Sequence, residues 1–142
     1  MQTDLARILS VAGQHGLFHF VAQARNGAIG ESLATKQRKV FSASSRISTL
    51  ADIAIYTSEG EMKMDEVFLA LKKVLGDAPA PSPKASDKEI LALFKKAIPN
   101  YDEDRFYLSH MRKVVDWYDQ IAKYASFDFV KEEEQQGDAQ EA

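Results

Sequence analysis

Two histidines four residues apart, His15 and His19, lie in the stretch SVAGQHGLFHFVAQARNGAIGESL (residues 10–33), which also holds four of the chain's seven glycines. In a strand, side chains four apart share a face, so the pair has the geometry of two metal ligands. Zinc takes three or four protein ligands. The chain has no cysteine, and its remaining histidine, His110, falls in a distant helical stretch, so no metal is expected. Nor do the glycines build a phosphate loop. Neither G-x-x-x-x-G-K-[ST] nor G-x-G-x-x-G occurs, and no helix opens directly after them. Their expected role is to turn a sheet. In NYDEDRFY, Asp102 and Asp104 imitate the opening of a calcium loop, but the required glycine and the distal bidentate glutamate are missing. No motif places a nucleophile beside a base. The reading is therefore non-enzymatic, with no catalytic residue and no cofactor.

Two further groups are suited to binding. Tyr101, Tyr107, Trp117 and Tyr118 gather around one loop and the helix after it. Tyr and Trp are enriched at interfaces, which makes these four the candidate protein-interaction residues. Arg25, Lys36, Arg38, Lys39 and Arg46 fall in turns and strand edges, with Phe18, Phe20, Phe41 and Tyr56 as available stacking faces. A positive groove with aromatics is how small barrels hold RNA or single-stranded DNA. The competing account is that the cations guard sheet edges while the phenylalanines fill a core.

The elements that carry these residues follow from pattern. Thr3 is placed to cap a turn with Leu5, Ile8 and Leu9 on one side. LFHFVAQA, AIGESLA, RKVFSA and IAIYT read as strands, with RNG and TKQ as turns between strands and SEG as a turn before a helix that begins near Met64. STLAD reads as one helical turn with Thr49 and Asp52 in capping-box spacing. Met64, Val67, Phe68, Leu71 and Leu75 share one helical face that Gly76 terminates. Short strands about ten residues apart, with no helix between them, predict a small barrel and not a parallel sheet. The expected fold is α+β: an SH3-like or Tudor-like barrel with a closing helix over residues 1–76, then a helical hairpin over 87–125. The hairpin rests on Ser86 and Glu89 as a capping box, on the stripe Ile90, Leu91, Phe94, Ile98, and on the stripe Met111, Val114, Val115, Tyr118, Ile121 with Ser109 as cap. Residues 77–86 hold three of the four prolines and read as a linker. Residues 126–142 read as an acidic, disordered tail.

At 142 residues, 45% hydrophobic and 27% charged, the composition is that of an ordinary globular chain. The absence of cysteine, of a signal sequence and of a long apolar run points to a cytoplasmic protein without a membrane span. The net charge of −3 is uneven: residues 1–76 carry nine Lys/Arg against seven Asp/Glu, and residues 77–142 nine against fourteen.

ILSVAGQHGLFHFVAQARNGAIGESL, ISTLADIAIYT and PNYDEDRFYLSHMRKVVDWY together resemble an uncharacterised bacterial family of unknown function best represented in the Bacteroidetes. The resemblance spans residues 4–124. It implies a small β-barrel-like N-terminal domain, a C-terminal helical region and a bacterial cytoplasmic origin, and it carries over no catalytic residue. At His15 and His19 the family pattern has Pro and Lys, so it lends those histidines no role.

The functional expectation is an interaction module. Two apolar stripes on a short hairpin leave surplus surface for the barrel, a protein partner or a second copy of the chain. Nucleic-acid binding by the basic barrel face is the alternative.

Overall fold

A computed structural model describes residues 2–14 and 16–130 of the chain. His15, and with it the pairing of His15 with His19, lies outside the described residues, as do Met1 and residues 131–142 of the expected acidic tail.

The architecture is α+β. Five strands, β1 (Ile8–Val11), β2 (Phe18–Ala24), β3 (Gly27–Ser32), β4 (Arg38–Ser42) and β5 (Ile47–Thr49), form an antiparallel sheet in the order β4-β3-β2-β1-β5. The expected barrel is not closed: β4 and β5 are the two edges of an open sheet. At three residues β5 pairs only with β1. The 3-10 turn Leu50–Asp52 follows at once and leads the chain out of the sheet. Thr49 and Asp52 do meet there, hydroxyl to carboxylate at 3.0 Å, without capping the backbone. A separate hairpin, β6 (Ala54–Thr57) and β7 (Gly60–Lys63), precedes the helices α1 (Met64–Leu75), α2 (Asp87–Ala97) and α3 (Leu108–Tyr124).

The helices form where their stripes and caps require. Met64, Val67, Phe68 and Leu71 are buried on α1. Ser86 Oγ accepts the Glu89 N–H at 3.2 Å and starts α2. The start of α3 differs from expectation: Tyr107 is its cap, and the Tyr107 N–H donates to His110 Nδ1 at 3.2 Å, so Ser109 lies inside the helix. At the N-terminus Asp4, not Thr3, caps the 3-10 turn Leu5–Arg7. Thr3 is buried instead. It bridges Phe129 in parallel pairing, and its hydroxyl accepts the Ser126 N–H at 3.0 Å. Residues 126–130, counted with the tail in the sequence, thus run back along the first residues and bury Phe129 against Phe68.

One apolar core joins all of this. It takes Leu5, Ile8, Leu17, Leu33 and Leu50 from the sheet and its connections, Ile55 from β6, and the stripes of all three helices. It therefore contains residues from both sides of the proline-rich segment 77–86. Helix α2 packs on both α1 and α3. Arg112 of α3 holds the segment's end: its guanidinium donates to the carbonyls of Pro83 (2.6 Å) and Ala85 (2.7 Å) and meets the Asp87 carboxylate at 2.6 Å. A second, smaller core of Leu9, Val11, Phe18 and Phe41 lies on the other face of the sheet, with the Phe18 and Phe41 rings edge to face at 4.9 Å.

Two groups of glycines have separate jobs. Gly13 and Gly16 adopt φ of +81° and +93° in the β1–β2 connection, a conformation that side chains disfavour. The Arg25–Asn26 turn uses no positive φ. Gly27 is needed for closeness instead, because a Cβ there would overlap the Phe41 carbonyl of β4.

Candidate functional site: a basic groove between β6 and α3

The hairpin β6–β7 and helix α3 meet over the main core, and a groove of about 330 Å³ opens between them. Its floor is apolar and fixed: Ile55, Met64, Phe106 and Val114 are all buried. On one wall His110, Lys113 and Trp117 project from α3 at spacings of three and four, so one helix face presents them. The other wall is β6 with Tyr56, which is 39% exposed. Arg105 closes one end, its guanidinium 4.8 Å from the centre of the Tyr56 ring and 3.6 Å from the Asp102 carboxylate.

The lining contains three nitrogen bases and no carboxylate. Among the described residues no ion pair engages Lys113 or His110. Because His110 Nδ1 accepts the Tyr107 N–H, the neutral ring carries its proton on Nε2, which remains a donor. Its ring lies parallel to that of Phe106, which fixes its orientation. An apolar floor with Lys113 on one wall, Arg105 at one end and aromatic faces suits an anionic group attached to an apolar body.

Two other depressions have several of their charges engaged locally. Beside the N-terminus, Asp52 and Asp65 serve local turns, the first with the Thr49 hydroxyl and the second with the Glu66 N–H. Beneath α1, Lys123 pairs with Asp119 at 3.0 Å, and Lys72 lies over the Phe127 ring. That hydrogen bond to Asp119 is the leading cause that raises the Lys123 pKa.

The four aromatic candidates do not share one site, although Tyr101 and Tyr107 line a common shallow depression at the start of α3. Tyr101 is buried against Phe106. Tyr107 is 54% exposed, its hydroxyl donating to the Asp104 carbonyl. Tyr118 is buried against Phe68 and Phe127, and burial raises the pKa of its phenol above the ordinary 10.0. Only Trp117, half-buried, lines the groove. Apart from half-buried Leu91, the stripe residues of α2 and α3 are buried within the chain, which leaves little of the surplus surface expected of a hairpin.

The basic candidates scatter. Arg25 lies in the β2–β3 turn and Lys36, at φ +65°, in the β3–β4 turn. Arg38 and Lys39 are neighbours on β4 and so point to opposite faces, Arg38 toward Glu31 (3.5 Å) and Lys39 toward Gln14 (3.5 Å). Arg46 is exposed before β5. Two of the four stacking faces, Phe18 and Phe41, fill the small core, and exposed Tyr56 lies on β6, outside the five-stranded sheet. His19 is exposed on β2, and no group of three metal-binding side chains occurs among the described residues. No helix is long and apolar enough to cross a membrane, among those same residues.

Arg105 and Lys113 belong to neither set of candidates that the sequence offers. The available signal was Lys113 one turn before Trp117, at the edge of the apolar stripe.

An open sheet joined to a helical layer, with a basic groove between hairpin and helix, is the class that this geometry defines. Residues 5–50 match a domain of unknown function (DUF5606) and residues 53–121 match a second domain of unknown function (DUF6852). The boundary between them falls where the chain leaves the five-stranded sheet. A protein from Bacteroides vulgatus, solved in solution by NMR, is 37% identical, with a TM-score of 0.72 over 84% of this chain and 87% of its own. No curated protein matches. The chain belongs to this uncharacterised Bacteroidetes-type family.

Proposed function

We propose that the protein is a non-enzymatic, cytoplasmic interaction module that captures an acidic segment of a partner protein in the groove between β6 and α3. The observation that carries this reading is the composition of the groove: Arg105, His110 and Lys113 surround an apolar floor, and no carboxylate lines it. A segment with carboxylates beside apolar side chains complements both features. The open sheet, whose last strand returns to pair with its first, is read as an SH3-like unit that serves as scaffold behind the groove.

Trp117 is the chain's only tryptophan and lies in the groove, so its fluorescence reports occupancy. A short peptide of alternating Glu and Val is expected to change that fluorescence saturably, with weaker binding at higher salt. The same peptide with Lys for Glu is expected to leave it unchanged. A single-stranded oligonucleotide that outcompetes the acidic peptide would favour nucleic acid as the partner instead.

A further inference from the structure

The groove runs along the edge of a strand. Ile53, Ala54, Ile55 and Tyr56 are consecutive, and all line it. Successive side chains of a strand point to opposite faces, so a cavity touching four in a row lies beside the edge and not on a face. Thr57 and Gly60 pair across the two-residue turn of the hairpin. Ladder alternation then directs the backbone groups of Thr57 and Ile55 toward β7, and those of Tyr56 and Ala54 away from it.

Hydrogen bonds on that outer edge agree. The Tyr56 carbonyl accepts the Asp102 N–H at 2.8 Å, and the Ser58 N–H donates to the Asn100 carbonyl at 2.9 Å, making the bridge between Thr57 and Tyr101. The loop then leaves. The Asp102 carbonyl accepts from Arg105 and Phe106, and its carboxylate accepts from Asp104, which winds the chain into a turn. Among the described residues no strand continues the pairing toward Ala54. The Tyr56 N–H and both backbone groups of Ala54 therefore face the groove.

We propose that the acidic partner segment binds as an added strand, about four residues long, paired to the Ala54–Tyr56 edge while its carboxylates meet Arg105 and Lys113. This rests on the reading of the groove given above. Main-chain bonds would supply affinity, and the cations on the facing wall would select acidic side chains.

The test uses the full chain, labelled with ¹⁵N, and the probe acetyl-Glu-Val-Glu-Val-Glu-amide. It compares this peptide with two versions N-methylated at alternate residues, one for each register. The plain peptide is expected to shift the amides of Ala54 and Tyr56 together with the Trp117 indole. One N-methylated register is expected to bind at least about tenfold more weakly, because it lacks the bonding N–H groups. Equal binding of all three, with the indole shifted and both amides unmoved, would overturn strand addition and leave side-chain capture standing. An indole unmoved by every acidic peptide would overturn the groove reading itself, and strand addition with it.

Discussion

The backbone N–H of Leu17 donates to Gln120 Oε1 at 2.8 Å, joining the glycine-rich connection of the sheet to the last turns of α3 across 103 positions. Gln120 is itself held by Asp116, whose carboxylate accepts from Nε2 at 3.2 Å. The same helix carries Trp117 about one turn and Lys113 about two turns earlier, so this bond helps fix the wall of the groove against the sheet. Replacing Gln120 with Ala leaves the buried Leu17 N–H without its acceptor. The expected cost is about 1–3 kcal/mol of unfolding free energy, measured by denaturant titration, together with faster exchange of the Leu17 amide. Unchanged stability would show that the bond is dispensable.

Arg112 tethers the segment before α2 through two carbonyls and one carboxylate. Arg112→Ala is expected to speed proteolytic cleavage within residues 77–86 severalfold at a protease concentration that leaves the wild type largely whole. Loss of these charge-assisted bonds should also cost about 1–3 kcal/mol. Cleavage elsewhere first would show that the tether does not protect the segment.

Tyr118 sets a pH dependence. Its phenol has a raised pKa in the folded chain because burial disfavours the anion. Above the ordinary value of 10.0 the unfolded chain therefore loses this proton before the folded chain does. The unfolded state binds fewer protons in that window, so stability falls as pH rises through it. Below the window the contribution is fully present. Thermal unfolding scanned from neutral to alkaline pH should show this loss, and Tyr118→Phe should move its onset upward. An identical alkaline profile in the two proteins would contradict the assignment.

Gly27→Ala places a Cβ on the Phe41 carbonyl, so β3 and β4 must separate at that end. The variant is expected to lose β4 pairing, seen as rapid exchange of the amides in Arg38–Ser42, while the amides of the helical core stay protected. Protection retained in β4 would show that the strands can yield.

The three helices were legible because each buries one face and is polar on the other, and because Ser86 and Gly76 mark ends by simple chemistry. Strand β1 was hidden. Ile8 faces the main core while Leu9 and Val11 face the small one, so both faces are apolar and no alternation shows. The spacing of Leu5, Ile8 and Leu9 imitated a helix. Strands β5 and β7 are too short and too polar to show a period. The open edge of the sheet was also hidden, since closure depends on where β5 ends and not on how many strands there are. Of the groove, Trp117 was visible at the margin of a stripe. Arg105 and Lys113 were single cations among many, and only the packing of β6 against α3 gives them a shared cavity.

Acidic-segment capture by the groove is tested by a charge swap at Lys113, which no ion pair engages among the described residues. Wild type and Lys113→Glu are each titrated with the alternating Glu/Val peptide and with its Lys/Val counterpart, following Trp117 fluorescence. Wild type is expected to prefer the acidic peptide, and Lys113→Glu to weaken this binding by at least about tenfold while improving that of the basic peptide. Equal binding of both peptides by both proteins, or no response at Trp117 to either, would contradict acidic-segment capture.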